Sequence, residues 1–311
     1  MNTVSQSSVN LNFFGKVKKF VKSNIFYEQV WGYIFILPSL IFFIIFVIYP
    51  VIEALILSLY QYSLQGSKWV GLANYATIFK DSVFIKSLIN TFLFVLYIVP
   101  TTVILSIVIA VLIYDKSPRA QTFFRASFYL PVVISIVSVS LVWRNIYHNL
   151  YGILNYVLSF IGIDPINWLG DPKYVIPSLS IVVLTYSLGQ PIILYLAALG
   201  GIPQTYYEAA DIDGASGIAK FWNITVPLLT PTTLYIFVTT TIGAFQVFAV
   251  VNLMTSGGPN YASNTVLFLI YKTAFTYNDF SLASTMGVIM FVCVAIFAVI
   301  QFKMFSSQVE Y

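Results

Sequence analysis

The chain has 311 residues, of which 59% are hydrophobic and only 8% are charged, and its mean hydropathy is +0.87. A water-soluble domain of this length could not bury so much apolar surface, so the composition excludes an ordinary soluble protein and indicates an integral membrane protein. The single cysteine, Cys293, excludes a disulfide within the chain.

Residues 1–30 form a basic N-terminal segment. Apolar residues such as Phe13 and Val17 alternate there with Lys16, Lys18 and Lys19, which is compatible with a basic amphipathic helix lying on the inner leaflet or with a disordered tail. A cleavable signal peptide is not expected, because the positive cluster lies inside the segment and the following apolar run is long enough to span a bilayer.

Six apolar runs follow, and each is close to or longer than the ~20 residues that cross a bilayer as a helix. They lie at 31–60, 87–114, 128–147, 175–200, 228–254 and 283–305. We therefore predict an all-α integral membrane protein with six transmembrane helices. The first helix occupies 31–60, an outer loop 61–86, a core domain with the other five helices 87–305, and a short tail 306–311.

The distribution of Lys and Arg predicts the orientation. With the N-terminus inside, nine of these residues lie in cytosolic segments and six in outer ones, in agreement with the positive-inside rule. An even number of spans places both termini in the cytosol, together with the loop 202–227 between helices four and five.

This loop is a polar, acidic island between two long apolar runs. Thr205 and Glu208 fit a capping box, and Gly214 suits the left-handed residue that ends a helix. A second short helix is expected from about Ser216 to Ile224. We interpret the loop as a docking element for another protein, the alternative being that Glu208 only caps its own helix.

The loop resembles the "EAA" coupling loop of ABC importer permeases of the carbohydrate-uptake family. The resemblance rests on Glu208-Ala209-Ala210, Gly214 and Phe221, followed by Ile224-Thr-Val-Pro227-Leu-Leu-Thr-Pro231. Segments that begin at Ile36, Val70, Asn90, Gly152, Asn167, Gly257 and Tyr271 are also similar to segments of that family. The resemblance covers the chain from about Gly32 to its C-terminus.

The resemblance implies a type I importer permease fold whose loop fits a groove on a cytosolic ATPase subunit. Glu208 and Gly214 correspond to the coupling residues of the family, and Ala209, Ala210 and Asp213 to further groove contacts. The implied partners are a second, homologous permease subunit, two ATP-binding cassette ATPase subunits, and an extracytoplasmic solute-binding protein that delivers a sugar. Membrane lipid surrounds the assembly, and no nucleic acid is expected.

The motifs that the chain lacks predict a transport subunit and not an enzyme. It has no Gly-x4-Gly-Lys-Ser/Thr phosphate loop, its only histidine is His148, and no carboxylate pair lies in the middle of an apolar run. We therefore expect no catalytic residue, no metal site and no cofactor on this chain, with ATP and Mg²⁺ held by the partner ATPases.

A substrate path is expected on helices four and five, where polar and small residues interrupt the apolar runs. Gly189-Gln190-Pro191 resembles the Gly-x-Pro of the fourth helix in the family, and Pro191 is expected to open the backbone near mid-membrane. The alternative is that these residues only pack the helices together. The candidate path residues are Thr185, Leu188, Gly189, Gln190, Ile192, Thr240, Gly243, Ala244, Gln246 and Val247.

The predicted function is import of a sugar or oligosaccharide across a bacterial inner membrane. Alternatives are import of a polyol or glycerol phosphate, a secondary transporter, and a membrane scaffold without transport. Phosphate cargo would favour Arg or Lys in the path, and helices four and five have none from 176 to 199 or from 228 to 253. A secondary transporter would show ion-coupling carboxylates at mid-membrane.

Overall fold

The computed structural model describes residues 24–63 and 66–305, with the side chains of 24–29, 63 and 305 left out. Most of the basic segment 1–30 and all of the tail 306–311 therefore lie outside the described residues. The chain divides into two compact units, 1–56 and 57–311.

The first unit is helical throughout its described part. Helix α1 (Asn24–Phe43) continues through a π-helical segment (Ile44–Ile48) into α2 (Tyr49–Ser58), whose last residues belong to the second unit. The stretch Val30–Ser58 has a mean hydropathy of 2.8 and is long enough to cross a membrane, as predicted for the first span.

The predicted outer loop contains ordered structure that the sequence pattern did not indicate. Strands β1 (Tyr60–Ser63) and β2 (Gly66–Trp69) form an antiparallel hairpin, followed by the short helix α3 (Ala73–Ile78). The buried Asn74 amide donates to the carbonyl oxygens of Ser58 and Tyr60, each at 2.9 Å. This side chain satisfies backbone acceptors where the helix gives way to the hairpin.

The second and sixth apolar runs are single long helices, α4 (Ser82–Tyr114) and α16 (Phe280–Phe305). Helix α4 begins before the predicted position 87 because Asp81 caps it, its Oδ1 accepting the Val83 N–H at 2.8 Å. An apolar window cannot detect such a start, since the first turn of the helix is polar.

The third and fourth runs are not straight helices. Helices α5 (Pro118–Val133) and α6 (Ile136–Ile146) meet at 98°, and α8 (Val175–Ser187) and α9 (Gly189–Gly200) meet at 50°. The second break agrees with the opening expected at Pro191, which has no N–H to donate to the Ser187 carbonyl one turn before. The bend between α5 and α6 corrects the predicted continuous helix 128–147. The first helix begins earlier, at Pro118, and Ser135 caps a new helix, its Oγ accepting the Val137 N–H.

The remaining elements are short except for α13. In chain order they are α7 (Ile153–Ser159), α10 (Gln204–Ile212), α11 (Gly217–Lys220), α12 (Val226–Leu228), α13 (Thr230–Phe245), α14 (Ala249–Met254) and α15 (Val266–Tyr271), with π-helical segments at Phe221–Thr225 and Lys272–Thr276. With each bent pair counted as one span, the described residues contain six spans. The predicted six-helix membrane fold is thus confirmed, with two broken spans and a small hairpin added.

Helix α4 lies at the centre of the second unit, packed against α8, α9 and α13. Phe94 and Ile98 of α4 are buried in one apolar cluster with Leu179 of α8 and Phe245 of α13. A second cluster joins Ile113 at the other end of α4 to residues of α9 and α13. The second cluster holds together α9 and α13, the helices that flank the loop 202–227.

Amide side chains tie α4 to the segment before α15. The Asn90 amide donates to the carbonyl oxygens of Tyr261 at 2.8 Å and Asn264 at 3.0 Å, and Asn264 donates to Ser87 Oγ at 2.7 Å. Asn90, Asn264 and Ser87 are all buried. Two carbonyl groups of the non-helical backbone from 256 to 265 thus obtain donors from α4.

We expect Asn90→Ala to lower the stability of the purified protein by about 1–3 kcal/mol, because it leaves two carbonyl oxygens without their donor. The midpoint of thermal unfolding in detergent measures this effect. Asn145→Ala is the matched control, since exposed Asn145 donates only to Leu141 O of its own helix. Equal midpoints for the two variants would contradict the role given to Asn90.

Candidate functional site

The loop between the fourth and fifth spans folds as two short helices. Helix α10 ends in a Schellman motif, in which the Ala215 N–H bonds to Ala210 O at 2.9 Å and the Gly214 N–H to Asp211 O at 3.1 Å. Gly214 has φ +74°, which confirms the predicted left-handed residue. Ser216 then caps α11, its Oγ accepting the Ala219 N–H at 3.3 Å.

The predicted capping box at Thr205 is wrong. Helix α10 begins at Gln204 with Pro203 in the cap position, and no side chain caps it. Thr205 therefore lies inside the first turn, where its hydroxyl is no longer at the cap position. The Glu208 side chain is exposed, so this geometry gives no support to the alternative that Glu208 is present as a helix cap.

Two side-chain contacts join the halves of the loop. Lys220 Nζ lies 2.6 Å from Asp211 Oδ1, and the hydroxyl groups of Tyr207 and Thr225 are hydrogen-bonded at 2.9 Å. An ion pair at this degree of exposure contributes at most about 1 kcal/mol, so its main effect is on orientation. Together with the Schellman turn, the contacts make the loop one unit and not a flexible connection.

The loop exposes apolar side chains beside its acidic ones. Ile212 is 88% exposed, and Ile218 and Trp222 are also exposed. Glu208, Ala209, Asp213 and Gly214 are exposed and Ala210 is half-buried, so all five predicted coupling residues lie on α10 or at its end. The exposed apolar residues were missed from the sequence, although large apolar residues in a polar loop are themselves a signal of a contact surface.

A cavity of about 330 Å³ lies between α4, α5, α8, α9 and α13. Its lining includes Tyr186, Ser187 and Gln190 from the broken fourth span and Tyr235, Thr239 and Thr240 from α13. The Ser187 hydroxyl is buried and has no hydrogen-bond partner among the described residues. A second hollow of about 510 Å³ shares Leu194 and Tyr235 with the cavity and reaches Ala198 and Pro231, near the loop.

The structure divides the predicted path residues into two groups. Gln190, Thr240, Gly243 and Ala244 line the cavity. Thr185, Leu188, Gly189, Ile192, Gln246 and Val247 are not among the lining residues.

Packing accounts for most of the second group. Thr185 Oγ1 accepts a hydrogen bond from Trp143 Nε1 at 3.2 Å. Ile192 and Val247 are buried in the apolar clusters, Leu188 packs against one of them, and Gln246 is exposed at the end of α13. For Thr185, Leu188, Ile192 and Val247 these contacts favour the alternative that they pack the helices together, and exposed Gln246 belongs to neither group.

Tyr235 and Thr239 are cavity residues that the sequence analysis did not select. They lie one turn apart on α13, and Gly243 follows after one more turn. Polar or small residues at positions i, i+4 and i+8 of an apolar helix share one face. This pattern in the sequence identifies the cavity face of α13.

The cavity is uncharged, since none of the described residues that line it is Asp, Glu, Lys or Arg, and its mostly apolar wall carries a few polar groups. Groups of three or more His, Cys, Asp or Glu able to hold a metal ion do not occur in the described ranges. The lining offers hydroxyl, amide and aromatic groups instead. Such groups hydrogen-bond and stack against a neutral, hydroxyl-rich molecule.

Aromatic rings join the end of α6 to the start of α8. They lie on the side of the membrane opposite the loop 202–227. The centroids of Trp143 and Tyr147 are 5.1 Å apart, those of Tyr147 and Trp168 5.9 Å, and those of Trp168 and Tyr174 5.9 Å. The buried Tyr147 hydroxyl donates to Ser178 O at 3.0 Å.

A broken-helix membrane bundle with a rigid, exposed loop is the architecture of a membrane transport subunit, and the comparisons define it further. Residues 69–311 match the family model for the binding-protein-dependent transport system inner membrane component, and the chain belongs to that family. It is a multi-pass permease subunit of an ABC transporter and not itself an enzyme.

Two relatives and a solved structure illustrate the similarity. The probable ABC transporter permease protein YurN of Bacillus subtilis is 35% identical, over 91% of this chain and 98% of that protein. The lactose transport system permease protein LacF of Rhizobium radiobacter is 33% identical, over 89% and 94%. A crystal structure of a bacterial ABC transporter involved in the import of the acidic polysaccharide alginate contains a chain with the same fold, with TM-score 0.79, 23% identity, and coverage of 95% of this chain and 100% of that one.

Gly189→Ala is expected to disturb the cavity wall. A Cβ at this position would lie 2.4 Å from Phe128 O and 3.0 Å from Tyr129 Cα of α5, so the backbones must separate at a cost of about 1–3 kcal/mol. Gly243→Ala is the matched control, because its Cβ would meet nothing within 4 Å. A lower unfolding midpoint for the first variant alone is expected, and equal midpoints would show that α5 and α9 do not pack this closely.

Gly214→Ala is expected to loosen the end of α10, because a side chain at φ +74° costs about 1–2 kcal/mol. Amide hydrogen exchange across residues 209–215 should become faster, as measured by mass spectrometry. Gly217→Ala is the control on the same loop, with no positive φ and open space around its Cβ. Unchanged exchange in the first variant would show that the Schellman turn does not hold the helix end.

Proposed function

We propose that this chain is the membrane-spanning subunit of an ATP-driven importer that takes up a neutral sugar or oligosaccharide. The observation that carries the proposal is the direct connection between the rigid loop and the cavity. Helix α9 leads into the loop and α13 leads out of it, and both line the cavity. A displacement of the loop is therefore applied to the cavity walls without an intervening flexible segment.

The proposed energy source is a pair of ABC ATPase subunits on the cytosolic side, which hold the ATP and Mg²⁺. The loop seats in a groove of one ATPase, where Ile212, Ile218 and Trp222 become buried and Glu208, Ala209, Ala210, Asp213 and Gly214 make the remaining contacts. Burial of three exposed apolar side chains supplies affinity, since each contributes about 1.5–3 kcal/mol when fully removed from water. Glu208 supplies a charged contact within that apolar surface.

The two helices that flank the loop are joined to each other. Tyr195 of α9 donates its hydroxyl hydrogen to Thr233 Oγ1 of α13 at 3.0 Å. Tyr195 is fully buried, between Ile113 of α4 and Leu229. When the ATPases close on ATP, the loop and the cytosolic halves of both helices are proposed to move as one body, and the cavity changes the side from which it is accessible.

The proposed assembly contains a second, homologous permease that completes the path, and an extracytoplasmic solute-binding protein that delivers the cargo. The proposed orientation of this chain in the membrane follows from its distribution of Lys and Arg, with both termini and the loop in the cytosol. The basic segment 1–30 and the tail 306–311 then lie at the inner face of a bacterial inner membrane. The outer segments, including the hairpin at 60–69, lie on the side of the binding protein.

The chemistry of the cavity supports a neutral cargo. Gln190, Thr239 and Thr240 offer hydrogen-bonding groups, while Tyr186 and Tyr235 offer ring faces that suit sugar C–H surfaces. A glycerol phosphate would be held better by Arg or Lys, and such residues are absent from the described lining. A secondary transporter is disfavoured for the same reason, since the described lining has no carboxylate to bind a coupling ion. The lactose transport system permease protein LacF and the multiple sugar-binding transport system permease protein MsmF, both relatives of this chain, add to this support.

The experiment that tests the proposal is ATPase activity of the purified complex in nanodiscs, with the binding protein either empty or loaded with candidate oligosaccharides. We expect stimulation by a loaded neutral glycan. In Glu208→Lys we expect an assembled complex with that stimulation lost, because the reversed charge disrupts docking and leaves the helical bundle intact.

The matched control is Arg119→Glu, which reverses an exposed charge on the same side of the membrane, in the first turn of α5. It is expected to retain stimulation. Stimulation that survives Glu208→Lys would remove Glu208 from the coupling surface. Stimulation by a phosphorylated polyol and by no neutral glycan would overturn the cargo class.

A further inference from the structure

We infer that the segment 149–163, between the third and fourth spans, lies in the lipid headgroup layer on the side of the membrane opposite the loop 202–227. The occupant of its exposed apolar face is the bilayer itself. This inference concerns a surface outside the cavity and the loop, and it does not depend on the cargo or on coupling to an ATPase.

Helix α7 presents its apolar side outwards. Ile153, Tyr156, Val157 and Phe160, at positions i, i+3, i+4 and i+7, form one stripe on the helix, and all four are exposed. Phe160 is 72% exposed and the adjacent Ile161 71%. If water covered this face of the helix, polar side chains would be expected on it and the apolar side chains would be buried.

The inner side of α7 is fixed by hydrogen bonds, so the exposed side cannot turn inwards. Asn155 is buried, and its amide donates to the carbonyl oxygens of Asn149 at 3.1 Å and Ile166 at 3.0 Å. Its Oδ1 accepts the Ile166 N–H at 3.2 Å and the Trp168 Nε1–H at 2.9 Å. A single side chain with four bonds determines which face of the helix points outwards.

Exposed apolar residues also lie on the membrane span that directly precedes the segment in the chain. Val137, Leu141 and Val142 are exposed on α6, which belongs to the third span. Leu150 and Tyr151, after the end of α6 and before α7 begins, are exposed as well. Since α6 ends at Ile146, the segment 149–163 follows the span directly, and this short connection keeps the segment close to the membrane surface.

The composition of the segment favours lipid over a protein partner. Residues 149–163 contain no charged side chain, and Asp164 is the first charge after the segment. Tyr151 and Tyr156, with an apolar ring and a polar hydroxyl, are typical of the membrane interface. An apolar helix face at such a boundary is buried by roughly 5–10 Å in the headgroup and acyl region, whereas a docking site for a soluble protein generally carries a polar rim.

Nitroxide labels can test this placement in the assembled complex. Cys293→Ala removes the single native cysteine, and cysteines are then introduced one at a time by Tyr156→Cys, Phe160→Cys and Ile161→Cys. The complex is placed in nanodiscs of phosphatidylethanolamine and phosphatidylglycerol, and collision of the label with oxygen is compared with collision with a water-soluble nickel chelate. Lys173→Cys, at an exposed charged position beyond the segment, is the water-facing control.

We expect oxygen collisions to exceed nickel collisions several-fold at the three segment positions and the order to reverse at 173. Nickel access at 156, 160 and 161 equal to that at 173 would overturn the inference, because the face would then be in water. Protection from both reagents would also overturn it, because a protein subunit would then cover the face. Protection that arises only when the solute-binding protein is added would assign the face to that partner. Three independent label sites keep the test valid if one variant fails to assemble.

Discussion

The structure depends on the requirement that backbone N–H and C=O groups in hydrocarbon find partners within the protein. Helices α4, α13 and α16 meet it by their own hydrogen bonds, and the interruptions are placed where other groups supply the bonds. Asn90 serves the backbone near Tyr261, and the break before Pro191 is packed against the backbone of α5 through Gly189. The cavity lies at this break, where the helical regularity is lost and polar groups such as Ser187 become available to a ligand.

Much of the fold was predictable from the sequence because the relevant signals are local. Apolar runs reveal membrane spans through their length, and Gly214 reveals the end of α10 through its conformational freedom. The 98° bend between α5 and α6 was not predictable, because Pro131 is compatible with a continuous membrane helix and the bend depends on the cap at Ser135 and on packing against α9. The hairpin at 60–69 was missed for a similar reason, since Asn74 fixes it through contacts that a window of sequence does not contain.

The candidate site shows the same division. The position of the loop 202–227 and the identity of its exposed acidic residues follow from the residues between the two apolar runs. The contacts that make the loop rigid join Asp211 to Lys220 and Tyr207 to Thr225, and they require knowledge of how two helices meet. In the cavity, composition identified the right helices and part of the lining, but it did not separate the cavity face from the packing face. Thr185 was therefore selected although it bonds Trp143, and Tyr235 was overlooked although it lines the cavity.

The π-helical segment Phe221–Thr225 sets the angular position of everything that follows it. The Val226 N–H bonds to Phe221 O, five residues back, so the turn holds one residue more than an α-helical turn. One residue corresponds to about 100° of rotation in an α-helix of 3.6 residues per turn. Because the wider turn accommodates this additional residue, the chain that follows keeps the rotation it would have after an α-helical turn, whereas an uninterrupted α-helix of the same number of residues would turn the stripe of Tyr235, Thr239 and Gly243 away from the cavity. The loop and the cavity are matched in rotational phase, and their chemistry depends on the length of the connection as much as on its residues.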